Sequence, residues 1–140
     1  MKKNNKMKEE YTTDEYRNME IEIQRRMIKE GFTDTGYSRH IHYLVSNSII
    51  PEILIEISKF AETHKKGWNL NWKLSENRMS PLEVLERCAN DMSYYDIRYH
   101  VVEHQNVSID LLKKLCKDPS ERVKNEASRK LADKLILKKD

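Results

Sequence analysis

The sequence predicts an all-α fold: a short right-handed α-solenoid of about three helix pairs behind an N-terminal capping helix. Three observations carry the prediction. The 140 residues contain three glycines and three prolines, too few for the many tight turns of a sandwich or barrel. Apolar residues recur at three- and four-residue steps between helix start and stop signals. These stretches also match one another at offsets of 26 to 30 residues, the spacing of a stacked array.

The elements follow in chain order. Residues 1–11 are polar and basic and read as a flexible tail, which leaves 12–140 as one helical repeat domain. Thr12 and Glu15 have the spacing of a capping box. Tyr16, Met19, Ile23 and Met27 then share a face and Gly31 supplies a stop, so one amphipathic helix is expected over 13–30. A second, at 36–46, turns Ile41, Leu44 and Val45 inward. Pro51 opens the third at a first-turn position, where its missing N–H costs nothing, and Ile53, Leu54, Ile57, Phe60 and Ala61 mark its buried stripe. Residues 65–79, "KKGWNLNWKLSENRM", break the apolar period and read as the longest loop. Four more helices are expected near 81–90, 94–104, 108–117 and 120–138.

The matches between segments are specific. "NSIIPEIL" from Asn47 lies on "NRMSPLEV" from Asn77, placing Pro51 on Pro81, Leu54 on Val84 and Ser58 on Cys88. A further offset of 28 puts Val84 on Leu112 and Cys88 on Cys116. At an offset of 26, Ile97, Arg98 and Val101 fall on Val123, Lys124 and Ala127. A helix pair of this size cannot bury its own apolar face, so its neighbours must cover it. The end units need polar outer faces, a role suited to the 13–30 helix and to Lys134–Lys139.

"DPSERVKNEASRKL", from Asp118 to Leu131, resembles a HEAT-type repeat, with an aspartate-proline turn followed by valine, a basic residue, alanine and leucine at helical spacing. "NSIIPEILIEISK" and "NVSIDLLKKLCKD" resemble the asparagine-led half of leucine-rich-repeat variants. The likeness covers roughly residues 36–138 and implies a curved superhelix used for macromolecular contact. Some variant-repeat proteins carry an iron–sulfur cluster; two cysteines do not supply its four thiolates, so no cofactor is expected.

Composition narrows the function classes. Apolar residues make up 38% of the chain and charged ones 35%, which suits a thin or elongated body. The net charge of +3 is spread evenly, with one excess positive charge in each of 1–40, 41–79 and 80–140. A nucleic-acid binder concentrates its basic charge on one face or arm. Cys88 and Cys116 sit at equivalent repeat positions and read as buried thiols of a reducing compartment. The N-terminus lacks an apolar signal region, and runs such as Ile53–Ile55 are too short for a bilayer, so a cytoplasmic protein without a membrane partner is expected.

One stretch looks catalytic. "HVVEH", His100 to His104, matches the inverted zinc-protease pattern, with two histidines one turn apart and a glutamate beside them. A zinc site needs a third ligand and an open position. His40, His42 and His64 offer no distinguishing spacing, and the repeat register already explains Ile97, Arg98 and Val101. A metallohydrolase at His100 and His104 is therefore the minor reading. No Gly-rich phosphate loop, nucleophile elbow or paired-cysteine motif is present, and neither an enzyme nor a small-molecule substrate is indicated.

The remaining candidates are contact residues. Trp68, Trp72, Tyr94, Tyr95 and Tyr99 gather aromatics of the kind that anchor interfaces or stack on bases. Trp68 and Trp72 also suit a plug where a long loop folds back on the core, whereas Trp68 or Tyr95 best fits an exposed anchor. Arg98 and Lys124 suit either a phosphate-binding stripe or a ladder of ion pairs to Asp91, Asp96 or Asp118, and the balanced charge favours the ladder. The expected role is non-catalytic binding of another protein, as an adaptor or inhibitor, with nucleic-acid binding as the alternative.

Overall fold

In the computed structural model, residues 7–138 are described and all of their regular structure is helical. The chain forms α1 (Thr13–Asn18), α2 (Ile21–Gly31), α3 (Arg39–Asn47), α4 (Pro51–Thr63), α5 (Gly67–Glu76), α6 (Leu82–Ala89), α7 (Tyr95–Glu103), α8 (Ile109–Leu115) and α9 (Glu121–Lys138). Alternate helices lie side by side. In one row α1, α3, α5, α7 and α9 each touch the next; in the other, α4 touches α2 and α6. Helix α8 packs on α7 and α9. The core lies between the rows, where Leu54 and Ile57 of α4, Leu70 and Leu74 of α5, Val84 and Leu85 of α6, and Ile97 and Val101 of α7 are fully buried.

Two sequence expectations are corrected. The single 13–30 helix is broken at Met19 and Glu20, both of which are extended. The buried Gln24 amide donates to the Met19 carbonyl at 2.7 Å, so a side chain satisfies a group that would otherwise continue the helical ladder. The break lets α1 lie against α3 while α2 reaches α4. The Thr12–Glu15 capping box is present at the start of α1.

The second correction is larger: residues 65–79 are not a loop but contain α5. Its buried face is half polar, with Asn71 and Ser75 inside beside Leu70 and Leu74, and this mixture hides the helical period. Both polar groups are satisfied. Asn71 donates to the Asp91 carboxylate at 2.8 Å, and the Ser75 hydroxyl donates to the Trp72 carbonyl at 2.7 Å. Gly67 looks like a breaker in the sequence, yet it serves a close approach. A Cβ there would stand 2.0 Å from the Ala61 carbonyl oxygen of α4.

Smaller differences have similar causes. Phe60 is exposed rather than core, stacked on Phe32 with centroids 4.4 Å apart. Cys88 is buried, but Cys116 is partly exposed at the end of the short α8. Met7 and Tyr11, placed by the sequence reading in the tail, pack against the core, and Lys8 bonds Glu15 at 2.9 Å. Lys2, Lys3 and Lys6, like Lys139, lie outside the described residues. Lys134 donates to the Val107 carbonyl, fastening α9 over the turn before α8.

Candidate functional site

The turns on both edges of the molecule are built by one device. At Ser48, Asn77 and His104, a side-chain atom accepts the backbone N–H two residues on: Ile50 at 3.3 Å, Met79 at 2.9 Å and Asn106 at 3.0 Å. At His64, Asp91 and Asp118 on the opposite edge, the same bond forms to Lys66 at 3.0 Å, Ser93 at 2.9 Å and Ser120 at 2.9 Å. The Ser48 hydroxyl donates to Gln24 Oε1 at 2.6 Å, whereas the amide and imidazole side chains reach back to the preceding turn. Asn77 donates to the Ser48 carbonyl at 3.1 Å, and His104 Nε2 donates to the Asn77 carbonyl at 2.8 Å. His64 Nε2 likewise donates to the Thr33 carbonyl at 2.8 Å. A carboxylate has no proton to give. At Asp91 and Asp118 the donor therefore comes from the neighbouring helix instead, from Asn71 and Arg98.

This device accounts for half of "HVVEH". Both ring nitrogens of His104 are engaged with backbone, which fixes the tautomer with its proton on Nε2 and leaves no lone pair for a metal. His100 turns to different partners. Its Nδ1 lies 3.3 Å from Ser75 Oγ, and its ring meets Trp72 edge-on at 6.0 Å. The two histidines border an open cleft of about 430 Å³ with Glu76, Arg78 and Glu103, but they do not converge as a ligand pair. Among the described residues no group of three His, Cys, Asp or Glu side chains is placed to hold a metal ion.

Arg98 lies inside. Its Nε and Nη2 donate to the two oxygens of Asp118 at 2.6 and 3.1 Å, while Nη1 donates to the Asp91 carbonyl at 2.9 Å. With side chains 5% and 4% exposed, this forked pair is a structural bolt between α7 and the turn before α9, not a surface contact. Lys124 stays at the surface and pairs within its own helix with Glu121 at 3.1 Å, so the ladder reading holds for Arg98 alone. Burial pushes the Cys88 thiol far up from its ordinary range, with nearby Asp91 adding to the shift, and keeps it from acting as a nucleophile.

The aromatic candidates do come together. Trp68 and Trp72 project from α5 one turn apart, and Tyr94 at the start of α7 packs against both, with centroids at 5.0 and 5.7 Å. Tyr99 carries the Arg122 guanidinium of α9 over its ring at 5.1 Å. Tyr94 is 46% and Tyr95 41% exposed, while Trp68, Trp72 and Tyr99 are half-buried. Trp68 is thus partly packed, and Tyr95 is the exposed member of the expected pair. Trp68 and Trp72 pack partly on the core, but from helix α5 and not from the loop that the plug reading expected.

Sequence reasoning missed the rest of this face. Tyr16 of α1 is buried, stacks on the exposed Tyr43 of α3 at 5.8 Å and hydrogen-bonds His40 Nδ1 at 2.9 Å. A signal was available: Tyr16 and Tyr43 are spaced 27 residues apart, the same interval as Trp68 to Tyr95 and Trp72 to Tyr99. No helix among the described residues is long and apolar enough to cross a membrane. Comparison with protein families, curated proteins and solved structures found no match to the chain.

Proposed function

We propose that this chain is a non-catalytic protein-binding module built as a short right-handed α-solenoid, similar in kind to HEAT-like and leucine-rich-repeat-variant arrays. The alternating helix contacts and the turn bonds recurring at His64, Asp91 and Asp118 support the repeat reading. The partner binds the row formed by α3, α5, α7 and α9. One observation carries this: the half-exposed ring cluster of Trp68, Trp72, Tyr94 and His100, continued by Tyr95 and Tyr99. Large rings held by their neighbours give contact area at little cost in side-chain entropy, which is why Trp and Tyr anchor interfaces. Adaptor and inhibitor roles both use such a surface in a cytoplasmic protein.

Affinity capture from source-cell lysate, with and without nuclease, tests this reading. The expected result is one protein retained stoichiometrically in both arms by the native chain and lost by a Tyr94→Ala/Tyr95→Ala variant of unchanged helical content. Equal retention by the variant overturns the assignment of the face. Recovery that disappears with nuclease replaces the protein partner by nucleic acid. The Arg122–Tyr99 pair and the basic side chains of α9 favour that second reading.

A further inference from the structure

Between the turn that follows α6 and the turn that follows α8 lies an open groove of about 650 Å³. Its floor is apolar, made by Ala89, Met92, Leu115 and Pro119, with Lys114 and Lys117 at the rim. Met92 is 60% exposed, more than any other large apolar side chain before the end of α9. The carboxylate in the lining, Asp118, is buried and taken by both arms of the Arg98 fork. Lys114 reaches only the neutral Asn90 amide, and Lys117 forms no ion pair among the described residues. The groove thus offers two ammonium groups without a carboxylate above an apolar floor.

We propose that this groove docks a short acidic–hydrophobic peptide segment of a partner protein. An apolar side chain of that segment covers Met92 and Pro119, and its carboxylates meet Lys114 and Lys117. Charge complementarity selects the occupant. A basic segment is repelled by the two lysines, and a carboxylate held over an apolar floor is less screened than one in open water. The apolar floor also favours peptide over nucleic acid, because a phosphate backbone has nothing to lay on Met92 and the lining holds no ring on which a base stacks. The groove is separate from the ring cluster, so the two assignments stand or fall independently.

The test is a titration of the ¹⁵N-labelled full chain with the peptide acetyl-EELFEE-amide, followed by amide chemical shifts. Saturable shifts confined to residues 89–92 and 114–119 are expected. Lys114→Glu/Lys117→Glu, at two exposed positions, should weaken binding at least about tenfold, and Met92→Ser should weaken it without altering the charge preference. The dispersed spectrum of each variant reports folding in the same experiment. The proposal fails if the peptide shifts nothing, shifts other residues, or binds the double variant equally well. It also fails if acetyl-KKLFKK-amide binds as tightly, or if an oligothymidylate of the same length shifts these amides more strongly. Loss of lysate capture by Tyr94→Ala/Tyr95→Ala leaves this titration untouched.

Discussion

The two rows of helices are joined by different chemistry. Across the row of α2, α4 and α6 the surface links are two ion pairs, Arg25 with Glu56 at 3.2 Å and Arg87 with Glu62 at 2.8 Å, and one ring contact, Phe60 on Phe32. Across the row of α1, α3, α5, α7 and α9 they are mostly rings, namely Tyr16 with Tyr43, Trp72 with Tyr94 and His100, and Tyr99 under Arg122. Lys130 with Glu103, at 3.4 Å, is an ionic link in the ring row, and the forked Arg98–Asp118 pair lies beneath that surface. Exposed ion pairs are solvated and worth little, so the two pairs of the first row add little to what the core beneath them supplies. Rings packed edge to face hold one another in place, so the second row presents a surface whose side chains are fixed by their neighbours. The two rows thus differ in surface chemistry while both rest on the same core.

The largest effect should come from breaking the buried fork. Arg98→Ala or Asp118→Ala leaves an unpaired charge inside and should destabilise the fold by about 3–5 kcal/mol in urea unfolding. Replacing both residues by apolar ones of similar volume should recover most of the loss. A cost near that of a surface pair would mean that the α7–α9 link is not held by this bond.

Gly67→Ala comes next. A methyl group pointing at the Ala61 carbonyl forces α4 and α5 apart, and a loss of about 1–3 kcal/mol is expected by thermal melting. If residues 65–79 were instead a loop, the same substitution would be neutral or stabilising. Glu56→Ala, which cuts an ionic link between α2 and α4, should cost no more than about 1 kcal/mol and less at high salt.

The smallest prediction concerns the thiols. At pH 8 a disulfide reagent should modify Cys116 in the native protein and reach Cys88 only with unfolding. Burial raises the Cys88 pKa, so its reactive thiolate stays scarce as the pH rises through the ordinary thiol range. Two equivalents reacting at equal rates would show that α6 opens readily.

Much of the fold was legible wherever buried positions were apolar. The stripes of α4, apart from Phe60, and of α6–α8 follow the periodicity, and Ile97, Val101, Val123 and Ala127, which the sequence aligns at an offset of 26, are all buried. Helix α5 was not legible, because two of its inward positions are Asn71 and Ser75 and the bonds that satisfy them come from elsewhere in the chain or from the backbone. The signal lay instead in its offset from α7: Leu70, Leu74 and Asn77 stand 27 residues before Ile97, Val101 and His104. Trp68, Trp72, Tyr94, Tyr95 and Tyr99 were legible as two local clusters of aromatics, but assigning Trp68 and Trp72 to a loop concealed that they share a helix. "HVVEH" misled in the opposite direction. Its spacing is chemically suggestive, and only the bonds at Ser48 and Asn77 show that His104 is one of a series of turn acceptors.

The turn series also bears on how such an architecture is encoded. What each corner requires is a lone pair at a set height above the chain, and a hydroxyl, an amide, a carboxylate or an imidazole supplies it. Geometry is thereby specified more tightly than spelling: chains that share no corner residue can share every corner. The corners of this fold are thus written in acceptors, and one kind of residue can stand in for another there.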